Sequence, residues 1–278
     1  MPSVSIIIST YNQPEWLQKV LWGYEQQTQK DFEIIIADDG STEETIKLIE
    51  SFQEKSLLQI HHVWQEDHGF QKTKILNKAI VFSKGEYLIL TDGDCIPRKD
   101  FVEKHLKHRK EGCFLSAGYF KLPMNISKAI TQEDIINQHC FDVQWLMNRG
   151  LKKTFKNNKL TSHGVKEKLL NRFTPTSATW DGNNASGWRK DIMAVNGFNE
   201  CMQYGGEDRE LGERLVNYGI KPLQIRYSAI TIHLDHARGY VTEEMITKNK
   251  AIRKNTKKNK LVWTKNGIVK EVDTTKKL

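Results

Sequence analysis

Thr91-Asp92-Gly93-Asp94 sits where an apolar run, Tyr87-Leu88-Ile89-Leu90, ends. The run reads as a buried strand. Two carboxylates one residue apart at the mouth of a strand can share one hard cation. Carboxylate and phosphate oxygens are what Mg²⁺ or Mn²⁺ prefers. Such a place suits a metal held together with a phosphorylated ligand. The same residues also spell an ordinary turn, since Asp and Gly both favour turns, and the segment alone does not decide between the two.

Three further segments carry a similar ambiguity. Tyr204-Gly205-Gly206-Glu207-Asp208 puts two glycines before two acids, at the start of an expected helix over residues 209–218 closed by Gly219. Glycines let the backbone approach a ligand closely. Acids in a first helical turn favour the macrodipole, yet a carboxylate held beside a glycine-lined pocket can also act as a general base. Ile230-Thr231-Ile232-His233-Leu234-Asp235-His236 is an alternating strand that runs into two histidines three apart. Histidine there is a metal ligand or a structural partner. Asp67-His68-Gly69-Phe70-Gln71-Lys72-Thr73-Lys74 is a glycine loop entering a basic helix start. Backbone N–H groups and lysine charge at such a place can hold phosphate, or simply meet solvent.

The elements that must position these residues alternate. Val4-Ser5-Ile6-Ile7-Ile8 is a strand, and Pro14 fits the first turn of a helix running to about residue 27, with Asn12 or Gln13 near its cap. Residues 32–37 form a second strand followed by Asp38-Asp39-Gly40-Ser41, and Ser41 and Glu44 are spaced as a capping box. Residues 58–63 read as a third strand and residues 73–83 as a helix, with Gly85 as its C-cap. The strand leading to Asp92 comes next. This order predicts a parallel sheet with helices on its faces, and ligands bind such sheets at the carboxyl ends of the strands. Ser9 to Asn12, Asp38-Asp39 and Asp92 to Asp94 therefore converge on one rim, which favours a site over three separate turns. Further on, residues 135–146 read as a helix, 152–159 as a basic loop, 173–177 as extended or turn, and 189–196 as a helix.

At 278 residues the chain suits one large α/β domain or a domain plus an appendage. No apolar stretch approaches the roughly 20 residues that span a bilayer. Met1-Pro2-Ser3-Val4 runs straight into a strand, so no signal peptide is expected. Cys95, Cys113, Cys140 and Cys201 form no C-x-x-C pair and no zinc spacing, as in a cytoplasmic protein with reduced thiols. The net charge of +8 is uneven: residues 248–278 carry a balance of +9 and residues 151–172 a balance of +6, so the remainder is acidic. A basic patch can bind nucleic acid, anionic lipid or nothing. Trp263 is the sole aromatic in the last 31 residues, so no stacking platform for nucleic acid is interleaved there.

Taken together, these residues resemble glycosyltransferase family 2, with the GT-A fold. The resemblance rests on Val4-Ser5-Ile6-Ile7-Ile8-Ser9-Thr10-Tyr11-Asn12, on Ala37-Asp38-Asp39-Gly40-Ser41-Thr42 and on Lys84-Gly85-Glu86-Tyr87-Leu88-Ile89-Leu90-Thr91-Asp92-Gly93-Asp94, in that order. Residues 183–215, in which Gly197-Phe198-Asn199-Glu200 leads to Tyr204-Gly205-Gly206-Glu207-Asp208, resemble a region shared by chondroitin-polymerase-type enzymes and β-1,4-galactosyltransferases. The likeness covers about residues 3–240.

The resemblance implies a GT-A (Rossmann-like) α/β fold, a mixed and mostly parallel sheet flanked by helices. It implies a nucleotide-sugar-binding half over residues 1–118, an acceptor-binding and catalytic half of the same domain over 119–240, and a basic helical extension over 241–278. The implied activity is metal-dependent, inverting transfer of a hexosyl or N-acetylhexosaminyl group from a UDP-sugar to a saccharide hydroxyl in bacterial surface polysaccharide synthesis. Mn²⁺ or Mg²⁺ would be the cofactor. On the nucleotide-sugar side it implicates Ser9, Tyr11, Asp38, Asp39, Lys72, Lys74, Asn77, Asp92 and Gly93. Asp94 and His233 would hold the metal. Asp208 would be the base with Glu207 beside it, and Asn183, Asn184, Trp188, Gly205 and Gly206 would line the sugar and acceptor pocket.

One departure stands out. Many relatives carry Arg immediately before the residue matching Asn77, and here Leu76 takes that place; Lys72 or Lys74 is the substitute for a diphosphate contact. Expected partners are a saccharide or lipid-linked saccharide acceptor and an anionic membrane met peripherally by the basic tail at the inner face, with no nucleic acid. A metal-dependent nucleotidyltransferase or phosphohydrolase, and a nucleotide-sugar-binding protein without catalysis, are the alternative readings of the same acids.

Overall fold

A computed structural model describes residues 2–237, 239 and 241–270. The first half alternates β1 (Val4–Thr10), α1 (Pro14–Glu25), β2 (Glu33–Asp38), α2 (Glu43–Lys55), β3 (Gln59–Trp64), α3 (Lys72–Phe82) and β4 (Tyr87–Asp92). β5 (Cys95–Pro97), α4 (Phe101–His108), β6 (Cys113–Ser116) and β7 (Gly118–Lys121) follow. A run of short helices comes next: α5 (Met124–Ala129), α6 (Gln132–Ile136), α7 (Val143–Met147), α8 (Asn158–Thr161) and α9 (Gly164–Phe173). The last part holds β8 (Asn184–Trp188), α10 (Arg189–Ala194), α11 (Glu207–Asn217), β9 (Lys221–Gln224), β10 (Ile230–His233) and α12 (Glu243–Lys258).

The main sheet has the order β3-β2-β1-β4-β8-β6-β9, and a second sheet has the order β5-β10-β7. β1, β2, β3 and β4 are parallel, whereas β8 runs antiparallel to both β4 and β6. β1 and β2 are buried along their whole lengths, as aliphatic runs in a sheet covered on both faces must be. The side-chain period of two splits each run between two cores. Ile6 and Ile8 pack with Leu17, Val20 and Leu21 of α1, while Ile7 packs with Ile75, Ala79 and Ile80 of α3. Each such Ile contributes on the order of 1.5–3 kcal/mol by leaving water. The register pairs Thr10 with Asp38 and Ser9 with Asp92, so three polar strand ends share one rim.

Several local expectations are corrected. α2 starts from Thr42 with no side-chain cap, so Ser41 and Glu44 make no capping box. Ser41 Oγ instead accepts from Asn12 N at 2.9 Å, and Asn12 Oδ1 accepts from Thr42 N at 2.7 Å, which ties the ends of β1 and β2 together. Gly85 is no C-cap, because α3 ends at Ser83 in an extended conformation. A Cβ on Gly85 would lie 2.5 Å from Ser5 N, so close backbone approach explains the glycine. Residues 135–146 are not one helix: left-handed Gln138 (φ 59°) breaks the run after α6, and Asp142 Oδ1 caps α7 by accepting from Trp145 N at 2.6 Å. Residues 152–159 are not all loop, since α8 begins at Asn158, and α9 was not foreseen.

The basic extension is helical, and it is docked. Arg253 Nε donates to Glu213 on α11 at 3.0 Å, and Asn249 Nδ2 donates to the Gln203 carbonyl at 2.7 Å.

Candidate active site

The rim opens into a cavity of about 800 Å³, a size that takes a small-molecule ligand. On one wall, Asp92 Oδ1 accepts from Ser9 Oγ at 2.7 Å and from Lys72 Nζ at 2.6 Å. Gly93 N donates to the Ser9 carbonyl at 2.8 Å, which fixes the turn after β4. Asp39 accepts from Gln65 Nε2 at 2.6 Å and from Gln71 N at 2.9 Å. Burial pushes its carboxyl up to about 6. Tyr11 lies at the mouth, its hydroxyl donating to Asp67 at 2.8 Å.

Lys72 stands at the first turn of α3, where β1 and β4 end. Burial pulls its ammonium pKa down, but Asp92, Glu207 and Asp208 outweigh that and hold it well above the usual value. Lys74, two residues on, projects from a different face of the helix and reaches Gln71 Oε1 at 3.3 Å instead of the cavity. Leu76 is buried in the core under α3. Lys72, one turn before Leu76, is the α3 lysine that lines the cavity.

Deeper in, Asp94 Oδ2 lies 3.0 Å from His236 Nε2 and 3.8 Å from His233 Nε2. His233 Nδ1 donates to the Leu234 carbonyl at 2.7 Å and His236 Nδ1 to the Ala237 carbonyl at 2.9 Å. A carbonyl only accepts, so Nδ1 of each ring carries a proton and Nε2 is the atom turned toward the carboxylate. Two Nε2 atoms facing one carboxylate are satisfied by protons on the rings or by a metal ion that replaces those protons. The rings stack at 5.8 Å with 8° between their planes, and both turn Nε2 toward Asp94. One oxygen and two imidazole nitrogens suit a divalent ion such as Mn²⁺. Cys95 also lies in this cluster. Its thiol is fully buried, burial pushes it far up, and it donates to Asp94 Oδ1 at 3.4 Å, so it orients the carboxylate as a thiol.

The opposite wall is made by the loop before α11. Gly205 and Gly206 take φ of +114° and +88°, which side chains rarely adopt. A Cβ on Gly205 would meet Ile246 at 2.4 Å, and one on Gly206 would meet Arg253 at 3.0 Å, so α12 packs directly behind the loop. Glu207 is buried and accepts from Gly205 N at 2.9 Å, and Asp208 accepts from Gly182 N at 2.9 Å. Burial and then Asp208 push Glu207 up to about 7. Asp181 completes an acidic trio and is pushed up to about 6 by burial, then by Asp208 and Asp92.

Ser9, Tyr11, Asp39, Lys72, Asp92, Gly93, Asp94, Asn183, Gly205, Gly206, Glu207, Asp208 and His233 are thus brought to one cavity. Five expected residues are not on its wall. Asp38 is buried beneath the rim, accepting from Ser41 N at 2.8 Å and bonded to His62 at 2.9 Å. Lys74 faces away, as above. Asn77 Oδ1 accepts from Phe198 N at 2.7 Å and its Nδ2 donates to the Phe198 carbonyl at 2.9 Å, which staples α3 to the second half. Asn184 is fully buried and donates to the Gly118 carbonyl at 2.7 Å. Trp188 pairs with Tyr87 at the far end of β4 and donates to the Lys110 carbonyl at 3.0 Å.

Sequence reasoning missed Asp181, Tyr119 and the inward face of α12, where Ile246, Lys250 and Arg253 reach the cavity. The i, i+4, i+7 spacing of those three was the available signal. For Asp181 it was the glycine that follows.

Comparison with known proteins bears on family and fold. The model of glycosyl transferase family 2 matches residues 5–167, and that of the N-terminal domain of galactosyltransferase matches residues 172–238. The uncharacterized glycosyltransferase YfnE of Bacillus subtilis is 28% identical over 264 residues, 84% of this chain and 64% of its own. The chondroitin synthase of Escherichia coli is 26% identical over 227 residues, 78% of this chain and 32% of its own. This chain thus spans under two thirds of either relative's length. Among solved structures, the mannosyltransferase PcManGT from Pyrobaculum calidifontis, in complex with GDP-Man and Mn²⁺, superposes with a TM-score of 0.59 at 20% identity, over 86% of this chain and 59% of that one. The mostly parallel central sheet flanked by helices is the GT-A arrangement expected from the sequence.

Proposed function

The chain belongs to glycosyltransferase family 2, and from that premise we propose that it transfers a hexosyl or N-acetylhexosaminyl group from a UDP-sugar to a saccharide hydroxyl, with inversion. The observation that carries this reading is the pair of opposed walls: Asp92, Asp94 and two histidines on one side, Glu207 and Asp208 on the other, with Lys72 reaching both.

Asp39 accepts the imino N–H of uracil, and Tyr11 lies beside the base. Ser9 and Asp92 hold the ribose edge. Lys72 Nζ neutralises the diphosphate in place of the arginine that relatives carry before Asn77. Asp94, His233 and His236 would hold Mn²⁺, or Mg²⁺, which when bound supplies Lewis-acid stabilisation of the diphosphate leaving group. Asp208 takes the proton of the acceptor hydroxyl as its oxygen attacks the anomeric carbon. The bond from that carbon to the phosphate oxygen breaks as the new glycosidic bond forms. Base and leaving group lie on opposite faces of the sugar, so one displacement inverts the centre. Glu207 is held by Gly205 N behind Asp208, and Asn183 and Gly182 border the sugar. We place the acceptor in bacterial surface polysaccharide synthesis, as a saccharide or lipid-linked saccharide presented at a membrane.

A donor screen with Mn²⁺ tests the reading. UDP release from one or more UDP-sugars, raised by a saccharide acceptor, is the expected result. Pyrophosphate as product would establish nucleotidyl transfer instead. Preference for a GDP-sugar would overturn the uracil assignment, because guanine also offers an imino N–H to Asp39.

A further inference from the structure

Helix α9 is amphipathic the wrong way round for a protein core. At about 100° per residue, Val165, Leu169 and Phe173 share one stripe roughly 80° wide. They are 74%, 51% and 72% exposed. The opposite face is polar and turned inward. Glu167 accepts from Ser228 Oγ, and Asn171 donates to Ser228 Oγ at 2.8 Å and accepts from Tyr227 N at 2.8 Å. A helix packed for a core would bury the aliphatic stripe and expose the acid.

The flanks of the stripe are cationic. Lys166 borders it on one side, and Arg172 and Lys168 on the other. The preceding segment adds exposed Lys152, Lys153 and Lys156, and Phe155 at 68% exposure. The one acid among residues 151–173 is Glu167, which is buried, so this segment carries six exposed cations and no exposed acid. We infer that this face docks on an anionic lipid bilayer, with Val165, Leu169 and Phe173 entering the headgroup boundary and the lysines pairing with lipid phosphates. A second copy of the chain fits poorly, because a two-fold contact would set identical cationic surfaces against each other. The segment also borders the cavity: Lys159 Nζ donates to the Tyr119 carbonyl at 2.7 Å, and Tyr119 lines the pocket. Docking through α9 would bring the pocket close to an acceptor carried on lipid.

The test is co-sedimentation of the full chain with phosphatidylcholine vesicles, with or without about one third phosphatidylglycerol. Binding to the anionic vesicles, weakened by salt, is expected. Lys166→Ala with Lys168→Ala should lower partition by about 25-fold, at roughly 5-fold per cation near the surface. Leu169→Asp with Phe173→Asp should lower it at least 10-fold. Lys254→Ala with Lys258→Ala, on the outer face of α12, should leave it within about two-fold. Circular dichroism keeps misfolded variants out of the comparison. Failure of the full chain to bind anionic vesicles would overturn the inference. So would loss confined to the α12 variant, or a dimer in sedimentation equilibrium that Leu169→Asp dissolves. UDP release is scored separately, so docking and transfer can fail independently.

Discussion

The two walls of the cavity carry acids under different rules. On the wall built by β1, β2 and β4, every carboxylate has a side-chain partner: Asp39 has Gln65, Asp92 has Ser9 and Lys72, and Asp94 has two histidines. On the wall before α11, Asp181, Glu207 and Asp208 crowd one another, and backbone N–H groups hold two of them. The first arrangement fixes charge in place, which suits phosphates and a cation of constant charge. The second leaves negative charge partly uncompensated, which raises Glu207 and Asp181 above their ordinary values.

The contrast can be broken first at Asp208. Asp208→Asn should lower transfer by about 10³-fold, within the range typical of a lost general base, and leave UDP affinity nearly intact. Equal loss of UDP binding by calorimetry would assign Asp208 to the donor wall. Asp94→Ala should cut Mn²⁺-dependent UDP affinity by about 100-fold, and unchanged affinity in that variant would remove the metal from this wall. Lys72→Ala should raise donor KM by about 10-fold, as expected of a charge-assisted hydrogen bond, with little change in acceptor KM. A larger effect on the acceptor would mean that Lys72 serves the other wall.

The smallest effect is on stability. The folded pKa of Glu207, about 7, lies above its ordinary value of 4.5. The folded state therefore binds the proton more tightly, and the contribution of Glu207 to stability is fully present below pH 4.5 and lost as pH rises through about 7. Asp39 and Asp181, each at about 6, act in the same direction over a narrower window. Thermal unfolding should show a Tm that falls between pH 5 and pH 8, and Glu207→Gln should flatten that fall without abolishing it. An unchanged slope in the variant would mean that Glu207 ionises as freely as in the unfolded chain.

The donor wall was the more legible one because local pattern fixes it. Aliphatic runs announce β1, β2 and β4, and the acids follow at their ends. Even there, adjacent or near-adjacent residues separate. Asp38 goes under the rim while Asp39 goes to the cavity, and Lys72 points in while Lys74 points away, by the periods of strand and helix. The acceptor wall depends on direction, which a motif does not state. β8 runs antiparallel to β4, so its start brings Asn183 to the rim and its end carries Trp188 to the opposite edge of the sheet. Asp181 joins the acids only because Gly182 N reaches Asp208. The charge of the extension was evident, but the side it buries was not.

Leu76 and Lys72 also bear on how far each position is free to change. In a relative with arginine before the shared asparagine, the cation and the asparagine are neighbours; here they are five residues apart. Putting arginine at position 76 alone would bury a guanidinium among Ile75, Ala79 and Ile80, and removing Lys72 alone would leave Asp92 without its cation. Each single exchange should weaken the protein, so the two positions are expected to vary together. Pairing of residues 72 and 76 across relatives should therefore separate lineages more sharply than either position read alone.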